Sequence, residues 1–412
     1  MTRLLIIGYV WPEPESSAAG SRMMQLIKLF LDYGWKITFA SPAADSDYMV
    51  DLAILGIDKV NIEVNCSQFD TFIQSCQPDV VIFDRFMMEE QFSWRVHKIC
   101  PDVIKILETS DLHSLRAARQ KAAKANRNIE PGDYHGDIAK REVASILRSD
   151  LTLLISSVEL AHLQNVYHID SSLLHYVPFM LDVSETQKCF AELPTYEERV
   201  GFMFIGNFFH EPNWDAVQYL KKSLWPRIAK KMPGVHLNIY GAYTSDKVRQ
   251  LNNQEQRFHI MGRAESVVDV MSKSRICLAP LRFGAGIKGK LLDAMRCGTP
   301  SVTTTSGAEG MCAQLPWNGF IAESDDSFVQ AACELYKNKK DWLKAQQNGI
   351  DIINHNFDKQ LFGPALHDRI ISLMKNLANH RQNNFMGAML LHHSMRSTEY
   401  MSRWIEAKNK LK

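Results

Sequence analysis

In the stretch LRFGAGIKGKLLDAM (residues 281–295), three glycines, two lysines and an aspartate fall at spacings suited to holding a phosphate. Gly284, Gly286 and Gly289 are spaced as G-x-G-x-x-G. Gly284, Gly289 and Lys290 are spaced as G-x-x-x-x-G-K, with Leu291 where a Ser or Thr would complete that second pattern. Both patterns bring backbone amides to a helix N-terminus, where the dipole favours an anion. Gly284 and Gly286 permit positive φ and close approach of the main chain. Amides around 286–289 then point outward at the start of a helix predicted over 288–296, and Lys288 and Lys290 add positive charge. Asp293 follows Lys290 by three residues on the same helix face, placed to accept both hydrogen bonds of a ribose diol. A solvated Lys290–Asp293 pair, worth a few tenths of a kcal/mol, accounts for the same residues without a ligand. Residue chemistry alone does not separate the two.

Other candidates follow predicted strands. Gly20 and Ser21 begin a helix after the Pro-rich loop 12–19, either as an amide-lined wall or as a simple loop-to-helix cap. Asp111 and His113 come just after a strand, with Arg116 one turn later. A histidine there binds a sugar or shuttles a proton, or is a structural side chain satisfied by a neighbour. Asp84 and Arg85 occupy a similar place, and Glu89 and Glu90 beyond them read as an acidic helix start. Glu309, in SGAEG, lies in the loop past another strand.

The elements that must position these residues form two series. Strands are predicted at 3–9, 35–40, 79–84, 103–108, 151–156 and 174–178, and a helix at 20–33. After residue 199, VGFMFIGN, VHLNIYGA, RFHIMGR, RICLAPL, PSVTTT and GFIAES read as strands, with helices at 213–231, 245–254, 265–273, 288–296 and 325–337. Continuous Val/Ile/Leu runs point to parallel strands covered on both faces. The reading is an α/β chain of two doubly wound, Rossmann-like domains facing a central cleft. The expected boundaries are 1–183 and 199–365, with a polar linker at 184–198 and C-terminal helices at 366–412 packing back on the first domain. The glycine-rich turn follows the fourth strand of its domain, not the first, and Leu291 has no hydroxyl for Mg²⁺, which argues against ATP hydrolysis. The next strand ends in Thr305 rather than an acid, which argues against NAD.

The composition suits a globular protein, with 46% hydrophobic and 23% charged residues in 412. A formal charge of +1 speaks against nucleic acid as a partner. The eight cysteines, at 66, 76, 100, 189, 277, 297, 312 and 333, show no zinc spacing and read as buried thiols of a reducing, cytoplasmic compartment. No apolar run reaches the roughly 18 residues of a membrane span. The tail 381–412 carries six Lys/Arg against two Glu, with Leu391, Met395, Met401, Trp404 and Ile405 on one side of a helix. Packing on the protein itself or a partner is the plainer expectation, and peripheral contact with the inner membrane face is the other.

APLRFGAGIKGKLLDAMRCGTPSVTTTSGAEGM resembles the donor-binding segment of retaining GT-B glycosyltransferases, in particular glycosyltransferase family 4. FIGNFFHEPNWDAVQYL and GRAESVVDVMSKSRICLAPL resemble the preceding blocks of that domain. GYVWPEPESSAAGSRMMQLIKLFLDYGWKITFASP resembles the N-terminal first strand, Gly-containing loop and helix of these enzymes, and LETSDLHSLRAARQ the D-x-H-x-x-R segment of one branch of them. The likeness runs over roughly residues 2–375. It implies transfer of a sugar, with retention and without a metal or other cofactor, from a nucleotide-diphosphate sugar to a glycan, lipid-linked or small-molecule acceptor. It places Gly20, Ser21, Gly206, Asn207, Arg263, Arg282, Gly284, Ala285, Gly286, Ile287, Lys288, Lys290, Asp293 and Glu309 around the donor, and Asp111, His113 and Lys288 at the reacting centre. Ala285 stands where the family has the first Glu of its E-x₇-E motif, Asp293 where it has the second, and Asn207 and Asn213 stand near the usual Arg and Lys. A nucleotide-sugar epimerase of the same shape and a non-catalytic subunit are the alternative readings.

Overall fold

The computed structural model describes residues 1–190 and 192–411. The first sheet contains β1 (Arg3–Ile7), β2 (Lys36–Ser41), β3 (Asp58–Asn61), β4 (Val80–Asp84), β5 (Ile104–Glu108), β6 (Leu151–Leu154) and β7 (Leu174–Tyr176). The second contains β8 (Phe202–Ile205), β9 (Leu237–Tyr240), β10 (Phe258–Gly262), β11 (Ile276–Ala279), β12 (Ser301–Thr304) and β13 (Gly319–Ala322). The strand orders are β3-β2-β1-β4-β5-β6-β7 and β10-β9-β8-β11-β12-β13, and every pairing is parallel. Both sheets are Rossmann-like, and the two domains face one another.

The unbroken apolar runs have a direct cause. Leu4 and Ile6 of β1 enter one core cluster, whereas Leu5 and Ile7 enter another on the opposite face. A strand buried on both sides has no polar alternation to show. In each sheet the order reverses beside the first strand, between β1 and β4 and between β8 and β11. That is where doubly wound sheets leave a crevice at the carboxyl ends of their strands. The loops after these strands carry most of the candidate residues.

Three expectations change. β3 was not predicted, because its DKVN sequence has one apolar residue and lies at the sheet edge. The expected linker 184–198 begins in a helix, Val183–Phe190; Ala191 lies outside the described residues. The helix expected at 245–254 shortens to Asp246–Arg249.

The chain crosses between domains twice, and the crossings are bonded together. Leu181 N–H donates to Phe357 O at 2.7 Å, and Lys359 N–H donates to Leu181 O at 2.9 Å. Helix Lys359–Gln382 then returns to the first domain and places Leu366, Ile370 and Leu373 in the cluster that holds Leu4 and Ile6. Helix Phe385–Lys410 lies across helices Phe86–Ile99 and Asp137–Arg148. Its inner face buries Met395 and Ser402, and both its glutamates are committed there, Glu399 to Lys98 at 3.4 Å and Glu406 to Arg95 at 3.6 Å. Leu391 and Ile405 are half-buried, while Met401 and Trp404 turn outward, so the five tail residues do not share one face. Among the described residues no helix is long and apolar enough to cross a membrane. Cys66, Cys76, Cys100, Cys277, Cys312 and Cys333 are free thiols, and Cys297 is buried; the Cys189 side chain lies outside the described residues.

Candidate functional site

A cleft of about 770 Å³ separates the domains. Its C-terminal wall comes largely from one stretch. After β11 the chain turns through Gly286, whose φ of 63° is left-handed, and enters helix Gly289–Arg296. Lys288 precedes the helix as its N-cap and is 7% exposed; its Nζ donates to Gly286 O at 2.8 Å, fastening the turn. Lys290 Nζ donates to Asn213 Oδ1 at 2.6 Å, and Asn213 Nδ2 donates to Asn207 O at 2.9 Å. Burial pushes both lysines down to about 8. Asp293 lies beside Arg296 at 3.3 Å, so the simple Lys290–Asp293 pair does not form. Enclosure by the cleft pushes the Asp293 carboxyl up to about 6, and Glu15 of the facing domain adds to this.

The N-terminal wall is assembled from separate strand ends. At the end of β5, the Glu108 carboxylate takes Arg22 Nε at 2.8 Å and Nη2 at 3.1 Å, in an ion pair with both side chains 1% exposed. Glu108 also accepts Ser110 N–H at 3.0 Å, which fixes the start of the next loop. Asp111 then pairs with Arg116 and stands 3.5 Å from His113 Nε2. Burial opposes ionisation of Asp111, but Arg116 and His113 hold its carboxyl well below the usual carboxylate range. Burial pushes His113 down to about 4, so its imidazole is neutral at physiological pH. Helix His113–Lys124 has no side-chain cap of its own. Glu142 supplies one from helix Asp137–Arg148, accepting His113 N–H at 2.9 Å and Ser114 N–H at 3.0 Å. Burial pushes this carboxyl up to about 7.

The walls touch at several points. Glu159 accepts Leu112 N–H at 2.7 Å and Gly286 N–H at 2.8 Å on the same oxygen. Arg119 donates to both oxygens of Glu309, at 2.6 and 2.8 Å, and to Gly284 O at 2.8 Å. A Cβ at Gly289 would lie 2.6 Å from the Ala18 Cβ, so the third glycine of the spacing is required by the helix of the facing domain. At the mouth, Tyr243 OH lies 2.9 Å from each oxygen of Glu13, and Phe209 stacks on the Tyr243 ring at 4.7 Å. His210 approaches Asp111 and Arg116 from the second domain, and burial pushes it down to about 4. Among the described residues no three or more His, Cys, Asp or Glu side chains converge as metal ligands.

Of the residues singled out from sequence, Gly20, Ser21, Asp111, His113, Gly206, Asn207, Arg263, Gly284, Ala285, Ile287, Lys288, Lys290 and Asp293 line the cleft. Asp84 and Arg85 line it too, whereas Glu89 and Glu90 pair with Arg148 and Arg141 away from it. Three donor candidates are placed differently. Arg282 turns outward to Asp215, because the turn after β11 points alternate residues to opposite sides. Glu309 is held by Arg119, and the Gly286 amide by Glu159. Gly20 and Ser21 donate their amides to Ser17, at 3.0 and 3.1 Å, so locally they form a loop-to-helix cap. Arg119, Glu142, Glu159, His210 and Tyr243 were missed. In the sequence Glu159 offers only the acidic first turn that many helices have.

Residues 199–338 match the family described as Glycosyl transferases group 1. A curated relative, the "Uncharacterized 44.6 kDa protein in cps region" of Klebsiella pneumoniae, is 25% identical over 167 residues, which is 38% of this chain and 42% of that one. The match therefore spans less than half of that relative's length. Among solved structures, sucrose-phosphate synthase from Thermosynechococcus elongatus superposes with a TM-score of 0.66 at 13% identity, covering 91% of this chain and all of that one. Anabaena HepE, in complex with UDP-glucose, gives 0.67 at 13% identity, covering 90% and all. The fold is that of GT-B glycosyltransferases, and the resemblance read from the motifs of residues 279–311 falls inside the matched family segment.

Proposed function

We propose that the protein is a glycosyltransferase that moves a sugar from a nucleotide-diphosphate donor to an acceptor hydroxyl, with retention and without a metal. The observation that carries this is the convergence of a helix start, the buried Lys288, the half-buried Lys290 and Asp293 on one wall of an interdomain cleft. The donor diphosphate lies at the start of helix Gly289–Arg296 with Lys288 and Lys290 as counter-charge, and Asp293 accepts from the ribose diol. As the bond from the sugar to the diphosphate breaks, charge grows on the leaving oxygen. Fixed cations and amides stabilise it there. The acceptor hydroxyl attacks from the face the diphosphate leaves, and a diphosphate oxygen takes its proton. Neutral His113, beside ionised Asp111, borders the sugar as a hydrogen-bonding group. The other wall thus needs to supply no strong base.

A thermal-shift screen against UDP-, GDP-, ADP- and dTDP-sugars tests the donor reading, because a bound donor raises the Tm. Stabilisation by one nucleotide class is expected; no shift with any of them favours a non-catalytic GT-B subunit. NMR of donor incubated alone reveals an epimerase by the appearance of an epimer. Turnover unchanged in EDTA is expected, and loss of activity there defeats metal independence.

The acceptor side brings in the outer face of helix Phe385–Lys410. Phe385, Tyr400 and Trp404 are 75%, 67% and 59% exposed, with the exposed Arg396 and Lys408 on the same helix, where Arg403 pairs with Glu399 at 2.5 Å. Aromatic and cationic groups on one helix face suit an anionic bilayer. We infer that the enzyme works in the cytoplasm and rests this face on the inner membrane. Sedimentation with phosphatidylglycerol vesicles but not with phosphatidylcholine vesicles is expected; equal recovery in the supernatant with both defeats it.

A further inference from the structure

We propose that Glu159 is a positioning residue that holds the phosphate-binding turn in register with the Asp111–His113 loop across the cleft. The inference rests on the reading of this cleft as a donor site.

Glu159 belongs to helix Ser157–Tyr167 of the first domain and is 1% exposed. One of its oxygens, Oε1, accepts two amides from different domains, Leu112 N–H at 2.7 Å and Gly286 N–H at 2.8 Å. Leu112 stands between Asp111 and His113, and Gly286 is the centre of the turn that Lys288 fastens. A single atom therefore sets the distance between the residues bordering the sugar and those bordering the diphosphate. The contact has little slack. A Cβ at Gly286 would lie 2.9 Å from the Asp111 Cβ and 3.3 Å from the Ile155 Cγ2, so the turn is seated against the facing loop. Its left-handed φ of 63° directs the amide.

Glu159 does not line the cleft and so acts through the turn, not on the substrate. Because it occupies the Gly286 amide, the donor diphosphate meets the helix start beyond that residue. Its second oxygen, Oε2, is buried without a hydrogen-bond partner among the described residues. A neutral amide fits that position, since Oε1 alone makes both bonds. Geometry of this kind matters because small misplacement of reacting groups costs large factors in rate.

The test compares Glu159→Gln, which keeps the accepting oxygen, with Glu159→Leu, which keeps the bulk and removes both bonds. Amide exchange is followed by mass spectrometry in segments 110–114 and 283–288, and donor KM and kcat are measured alongside. Glu159→Leu is expected to speed exchange in both segments together and to raise donor KM about tenfold or more, the loss of one to two net hydrogen bonds. Glu159→Gln is expected to restore exchange in both segments and to keep KM within about twofold. If Glu159→Leu does not fold, Glu159→Asp, which retracts the oxygen by one methylene, replaces it with the same expectations. Faster exchange in only one segment overturns the proposal. So does an unchanged donor KM with both segments loosened, which would make Glu159 merely structural, and so does failure of Glu159→Gln to restore both readouts. If the unaltered protein binds no nucleotide sugar, the donor reading fails. The paired exchange result still decides whether Glu159 couples the walls.

Discussion

The two walls of the cleft handle charge in opposite ways. The C-terminal wall brings lysines into a dry turn and leaves their charge incompletely neutralised: Lys288 rests on a carbonyl and Lys290 on an amide oxygen. The N-terminal wall brings in acids and ties them to fixed donors, Glu108 to Arg22 and the Ser110 amide, Glu142 to the His113 and Ser114 amides, Glu159 to the Leu112 amide and, across the cleft, to that of Gly286. One wall holds charge in reserve for an incoming anion. The other uses buried carboxyl oxygens to hold a loop still.

Removing the reserve is the strongest way to break this contrast. Lys288→Ala is expected to lower kcat/KM by about 10²–10³-fold, the scale found when one preorganised donor to a developing anion is lost. An unchanged kcat/KM in steady-state assays would remove Lys288 from the site. Next comes pH. Both lysines are held down to about 8, so they lose their charge as pH rises through that value. Asp293, pushed up to about 6, loses its ability to accept two hydrogen bonds below that pH. Donor KM is therefore expected to be lowest between pH 6 and 8 and to rise on both sides, approaching tenfold per pH unit for each titrating group. A flat KM profile from pH 5 to 9 would falsify the assignment of these groups to the donor.

The opposite wall is sharpened by stability instead of rate. Burial, with Asp111 adding to it, pushes the Glu159 carboxyl up to about 8. A raised folded value contributes stability that is full below the ordinary carboxylate range and is lost as pH rises towards about 8. Glu159→Gln removes that dependence. The variant is expected to match the parent in Tm near pH 5 and exceed it near pH 8; equal Tm values across the range would show that Glu159 ionises freely. The smallest effect belongs to Arg282→Ala. Its side chain points away from the cleft, so donor KM should stay within about twofold, as for a surface substitution.

The same contrast explains what was legible in the sequence. Gly284 to Asp293 are contiguous, so their spacing spells out a turn, a helix start and a face of that helix. The parallel strands other than the edge strand β3 were equally readable, because two-sided burial leaves unbroken apolar runs. Asp111 and His113 were found, but the residues that hold them were not. Glu142, Glu159 and Arg119 reach the site from helices whose sequences look like ordinary solvated helices, and only the folded topology brings them in. Arg282 erred the other way. It sits inside the most informative stretch yet points outward, because adjacency in a turn does not fix which side a residue faces.

The return of helix Lys359–Gln382 to the first domain bears on the order of folding. The main core of the second domain draws on residues 202–345, a continuous piece of chain. The first domain cannot close the cluster around Leu4 and Ile6 until Leu366, Ile370 and Leu373 have been made. Domains usually fold as units, in the order in which they leave the ribosome. Here the domain that emerges first waits for the end of the chain, its apolar face open throughout synthesis of the other.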